Sequence, residues 1–211
     1  MRKGIRMAKR GKDTKTSSII VNLIIVLWMA YCCFVMFTKG LDGNMSGSKF
    51  TGLRYFTIDS NILAAVSAFI MLIARAVKGT PSSFAVVFKY VGTVAVTLTL
   101  ITVLVFLGPS HGFAKMFAGN NLYMHLIGPV LCIISFCWLD KGPRIQKSHI
   151  GSSVIPVIIY GLVYFVMVVV AKSWPDFYGF NRDGKWYISM AAMFAGTLLI
   201  SIVLKALHND K

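Results

Sequence analysis

At Arg54-Tyr55-Phe56-Thr57-Ile58-Asp59-Ser60-Asn61 a polar loop runs into an apolar stretch, so that a hydroxyl, a carboxylate and an amide fall within its first two turns. Polar groups at membrane depth are costly unless paired or hydrated, and such a cluster marks a candidate functional site. On a helix beginning near Phe56, Thr57, Ser60 and Asn61 share one face while Asp59 points elsewhere. A Thr at a helix entrance can also serve as its cap, so two roles stand for Thr57. A second constellation is Asn121-Leu122-Tyr123-Met124-His125-Leu126-Ile127-Gly128-Pro129. Pro129 has no amide hydrogen, so the His125 carbonyl loses its usual partner and the helix should bend there. His125 could simply bond a neighbouring helix, or it could take a proton: a hydroxyl nucleophile needs a base, and imidazole titrates in the right range.

The elements that must carry these residues emerge from composition. The chain has 211 residues, of which 56% are hydrophobic and only 14% charged, a balance foreign to soluble domains. Six stretches of membrane-crossing length lie between flanking charges, from about Ser18 to Phe37, Phe56 to Ala74, Lys89 (or as early as Phe84) to Leu107, Leu122 to Leu139, Val154 to Ala171 and Tyr187 to Leu204. Without water to satisfy backbone groups these must be helices, which predicts an all-α, polytopic bundle of six transmembrane helices. A basic tail over residues 1–16, expected to lack regular structure, would precede one membrane domain over 17–207, with a short tail over 208–211.

Basic residues concentrate in the N-terminal tail, in the second and fourth loops (Arg75, Lys78, Lys141, Arg144, Lys147) and at the C-terminus, which places both termini in the cytoplasm. Thr57 and His125 then lie in spans that both descend from the outer face, at nearly the same depth. The formal net charge of +15 suits topology and anionic headgroups at the cytoplasmic face. No aromatic-interleaved basic patch points to nucleic acid. The first span lacks a cleavage site and reads as retained. Cys32, Cys33, Cys132 and Cys137 all fall inside spans as packing residues, and neither a disulfide framework, a metal site nor a cofactor motif is expected.

Arg54-Tyr55-Phe56-Thr57 at one span entrance, taken with Asn121 through His125 at a later one, resembles the androgen-induced-gene family of membrane threonine hydrolases, over roughly residues 18 to 205. The resemblance implies that Thr57 is the nucleophile and His125 the base, and that the substrate is a fatty-acid ester. Animal members have a further histidine where Leu122 stands here, and Ile58 through Leu63 is more similar to bacterial six-span relatives, which points to a bacterial cell membrane.

The expected reaction is acyl transfer. Thr57 attacks an ester carbonyl of a lipid from the outer leaflet, His125 moves the proton, and nearby amides or Asn61 stabilise the oxyanion. Asp59 or Asp176 would orient His125, as the third member of a catalytic triad does. Ser60 and Asn121 are further candidate supports. The aromatic loop Ser173–Asn181 would either lid the outer ends of spans two and four or anchor them at the interface. The competing reading is a non-catalytic membrane protein that binds or transports a lipid or small amphipathic molecule. Rhomboid-type proteolysis finds no Gly-x-Ser-Gly at a span entrance, and glutamate-based metalloproteolysis finds no paired glutamates.

Overall fold

The structure, a computed structural model, describes residues 2–39 and 50–210, with side chains from residue 13 onward except that of residue 39. The polar loop that leads into Arg54 lies largely outside the described residues. Among the described residues the chain is helical with no strand. Its six long apolar helices make it a multi-pass membrane bundle: α1 (Arg2–Lys39), α2 (Phe56–Lys78), α3 (Ser83–His111), α4 (Asn120–Leu139), α5 (His149–Val170) and α6 (Trp186–Asn209).

Several boundaries differ from expectation, each for a physical reason. The first helix extends back through the basic tail to Arg2, since Lys, Arg, Met and Ala propagate a helix readily once an apolar span has nucleated it. The third starts at Ser83, where Ser82 caps it by accepting from the Ala85 amide at 3.3 Å, and runs through Gly108-Pro109 to His111. Pro109 is tolerated because it occupies the first turn of the short Gly108–His111 segment that succeeds a π-turn over Val103–Leu107. The last helix reaches Asn209, so His208 lies inside the bundle, stacked on Phe136 with ring centres 4.4 Å apart, rather than in a tail.

The central helix is α3. In its most apolar stretch 72% of residues are buried within the protein, against 22–39% in the other five helices. Its Val86, Tyr90, Val94 and Leu98 pack against Met71 of α2, Phe136 of α4 and Ile200 and Leu204 of α6. Lipid tails are as apolar as leucine, so these helices associate through close packing and hydrogen bonds rather than a hydrophobic drive. At the α2–α3 crossing, a Cβ on Gly92 would stand 2.6 Å from the Ser67 hydroxyl and 3.1 Å from the Ala64 Cα, which is why glycine occupies that point.

Near the inner ends of α1, α3 and α4, a charged cluster sits with no exposure at all. Asp140 accepts from Ser18 (2.6 Å), Asn22 (2.9 Å) and Ser135, and its carboxylate lies 3.9 Å from the Lys89 ammonium, which in turn donates to the Asn22 amide oxygen at 2.7 Å. Lys89, expected at a membrane boundary, is thus a core residue. Arg75 donates to the carbonyls of Leu139 (3.1 Å) and Lys141 (2.5 Å), and Lys141 to those of Leu207, His208 and Asp210. These two cations cap the C-terminal ends of α4 and α6, where carbonyls lack helical partners and the helix dipole favours positive charge.

Candidate functional site

The site begins with the way α2 starts. Tyr55 precedes the helix with no side-chain cap, and Thr57 bonds none of the first amides, so the capping role open to Thr57 is not realised. The Phe56 amide is instead satisfied from far along the chain, donating to the Tyr178 hydroxyl at 3.0 Å. Thr57 is left half-buried, its hydroxyl turned toward another helix.

That helix is α4. Thr57 Oγ1 lies 3.4 Å from His125 Nε2, across 68 residues of sequence. His125 is 7% exposed, and its Nδ1 sits 2.7 Å from the Met116 carbonyl oxygen. A carbonyl only accepts, so Nδ1 carries the ring proton and Nε2 presents a lone pair to the Thr57 hydroxyl. The imidazole is thereby held in the tautomer a general base requires. Its orienting partner is a backbone carbonyl, not a carboxylate. The contact at 3.4 Å is long for a hydrogen bond, as catalytic pairs commonly are before substrate tightens them.

Local sequence accounts for the placement of His125. It falls within a π-turn over Tyr123–Ile127, closed by the Gly128 amide donating to the Tyr123 carbonyl. In this register the Met124 carbonyl would look to residue 129 for a partner, and Pro129 has no N–H to offer. Asn61 supplies it: its Nδ2 donates to Met124 O at 3.0 Å and to Thr57 O at 2.7 Å. The carbonyl released by Pro129 is therefore Met124's, tied across to α2, rather than only a bend at His125. Gly128 leaves room for this staple, since a Cβ there would stand 2.8 Å from the Tyr123 carbonyl and 3.4 Å from Asn61 Oδ1.

The remaining candidates disperse. Ser60, 1% exposed, bonds the Thr57 carbonyl (3.1 Å) and the Thr99 hydroxyl (2.9 Å), joining α2 to α3. Asn61 cannot serve an oxyanion as expected, because both hydrogens of its amide are held by carbonyls. Asp59 is half-buried with no partner among the described residues and does not orient His125. Asp176 does not orient it either: it accepts from the Tyr164 hydroxyl (2.7 Å) and from the amides of Phe180 (2.9 Å) and Asn181 (2.8 Å), organising its own loop. Asn121 reaches only the Lys115 carbonyl at 3.5 Å. No group of three or more His, Cys, Asp or Glu side chains among the described residues is placed to hold a metal.

An apolar cavity of about 120 Å³ opens beside Thr57 and descends between α3, α5 and α6 toward Val157, Gly161 and Met193. Thr57 stands on its wall, whereas His125, 3.4 Å from the Thr57 hydroxyl, does not line it. The outer loop closes the top. Tyr178 packs with Val103, Leu107 and Tyr164, Phe177 lies tilted against Tyr55 with centres 4.4 Å apart, and Arg54 lies over Trp174 at 5.7 Å. The loop packs on Tyr55 at the entrance of α2, on Val103 and Leu107 of α3, and on Met116 and Phe117 ahead of α4. Tyr178 and the Met116 carbonyl escape a reading of the sequence: a tyrosine in an aromatic loop reads as an interfacial anchor, and a carbonyl carries no signature at all. Comparison of the chain with family models, with curated proteins and with solved structures gave no match.

Proposed function

We propose that this protein is an integral membrane hydrolase that cleaves lipid esters near the outer face of a bacterial cell membrane, with both termini in the cytoplasm, Thr57 as nucleophile and His125 as general base. The observation that carries the reading is the 3.4 Å approach of Thr57 Oγ1 to a His125 Nε2 whose tautomer the Met116 carbonyl sets, on the wall of an apolar cavity. The resemblance of Arg54 through Thr57 and of Asn121 through His125 to the androgen-induced-gene hydrolases points the same way.

In this reading the apolar part of the substrate lies in the cavity with its ester carbonyl at Thr57. Oγ1 bonds to the carbonyl carbon as its proton passes to His125 Nε2, and the carbonyl π pair moves onto oxygen. Collapse of the tetrahedral intermediate restores the carbonyl and expels the alcohol, which takes the proton from His125. Water then attacks the acyl-Thr57 ester in the same way, releasing the carboxylic acid and restoring the hydroxyl. An internal threonine is a hindered nucleophile, and slow turnover is expected.

A bundle that holds a lipid without cleaving it is the second reading, favoured by one observation: His125 does not itself line the cavity. Reaction of the purified full-length protein with a fluorophosphonate probe separates the two. Labelling of the wild type that is lost in both Thr57→Ala and His125→Ala supports the hydrolase. An unlabelled wild type that still takes up a spin-labelled fatty ester supports the binder, and full labelling of Thr57→Ala removes Thr57 from the reaction.

A further inference from the structure

We infer that Tyr178, delivered by the outer loop, is a catalytic residue of this site and donates the hydrogen bond that stabilises the oxyanion. The inference rests on the ester-hydrolase reading and names a part that reading lacks, since Asn61 is already held by two carbonyls.

Besides Thr57, the hydroxyls on the cavity wall belong to Thr99, Thr102, Tyr160, Tyr164 and Tyr178. Thr99 is bonded to Ser60 and to the Ala95 carbonyl, and Thr102 points to the Met193 sulfur at 3.9 Å. Tyr160 gives its proton to the Arg54 carbonyl at 2.7 Å, and Tyr164 gives its own to Asp176 at 2.7 Å. Tyr178 differs. Its oxygen accepts from the Phe56 amide at 3.0 Å, the first N–H group of the helix that carries the nucleophile. With its oxygen accepting at the positive end of α2, its O–H is left to donate, and a hydrogen bond received by an oxygen strengthens the one it gives. The side chains that face it include the Tyr160 and Thr57 hydroxyls, neither of them a strong acceptor. A carbonyl oxygen turning into an oxyanion beside Thr57 is a far better one. Burial pushes the Tyr178 phenol up to about 12, so it keeps its proton at neutral pH.

The ring is also held where it must be. Tyr178 is 8% exposed, its amide donates to the Tyr164 hydroxyl at 3.3 Å, and Tyr164 is fixed by Asp176. The step adds no atom to the reaction: as Thr57 Oγ1 bonds to the carbonyl carbon, the displaced π pair resides on the carbonyl oxygen, which accepts the Tyr178 hydrogen bond until collapse returns the pair.

The test uses the full chain in lipid nanodiscs with p-nitrophenyl esters as the probe. In Tyr178→Phe we expect kcat to fall by about 10²-fold or more with KM little changed, the range seen when one oxyanion donor is removed. Because Phe also takes a partner from the Phe56 amide, a second measurement isolates the proton. Fluorinated tyrosines inserted at position 178 keep the hydroxyl and the packing while lowering the phenol pKa, and the alkaline limb of kcat should move to lower pH in step with that pKa. A limb that stays in place, or Tyr178→Phe within about threefold of wild type while hydrolysis still depends on Thr57, overturns this inference and leaves the hydrolase reading standing. Absence of Thr57-dependent hydrolysis of any ester overturns both.

Discussion

The two ends of this bundle use the same chemical groups in opposite ways. At the inner end, Ser18, Asn22, Lys89, Ser135 and Asp140 bond one another with no exposure. At the outer end, Thr57 and His125 meet at 3.4 Å, Asp59 lacks a partner among the described residues, and an apolar cavity adjoins the hydroxyl. A closed network holds helices in register, because every group that could bind something else is already bound. An open one stores capacity for a partner that arrives later. Polar residues in a membrane therefore announce function only where their bonding is incomplete, a property of the assembled bundle.

That contrast is strongest in what substitutions should do. Replacing Thr57 with Ala should reduce ester hydrolysis at least about 10³-fold, as loss of a nucleophile that works as a unit with its base does, while the unfolding midpoint in detergent stays near that of wild type. A large drop in stability instead would place Thr57 with the structural class. Asp140→Ala should do the reverse. Removing one partner of a buried pair leaves an uncompensated charge on Lys89 and destabilises by about 3–5 kcal/mol, measurable by chemical unfolding in mixed micelles. The paired replacement Lys89→Met with Asp140→Leu should recover much of that loss, and failure to do so would mean that the Ser18, Asn22 and Ser135 bonds, not the charge, hold the inner end.

Smaller effects sharpen the line between the two regions. Gly92→Ala inserts a methyl 2.6 Å from the Ser67 hydroxyl, and overpacking of this kind costs about 1–3 kcal/mol, so a thermal scan should register it even though no polar group is lost. Double replacement with Ser67→Ala should relieve part of it. Asp59→Asn should be the mildest change, within about 0.5 kcal/mol in stability and without effect on hydrolysis, since no described residue bonds that carboxylate. Loss of activity there would bring Asp59 back into the mechanism through a partner that only a substrate-bound state supplies.

Much of the architecture is legible without coordinates. Hydropathy over about 20 residues marks a span, and the polar cluster after Tyr55 and the Gly128-Pro129 step stand out within their own windows. Spans two and four both running inward from the outer face put Thr57 and His125 at one depth, which is as far as local pattern reaches. The misreadings share one cause. Lys89 resembles a boundary charge because a basic residue near a span end looks the same whether it faces water or another helix. The orienting roles expected of Asp59 and Asp176 rest on chemistry without distance, and the group that holds His125 is the carbonyl of Met116.

Order along the chain alone determines the set of six helices, because hydrogen bonding in lipid forces apolar stretches into helices whatever lies beside them. Only the folded bundle decides the contacts between those helices: the Asn61 staple to Met124, the 68-residue bridge from Thr57 to His125, and the Tyr178 hydroxyl on the first amide of α2. Those depend on how helices rotate and approach, which is set by packing summed over many residues at once and leaves no mark in any single window of sequence.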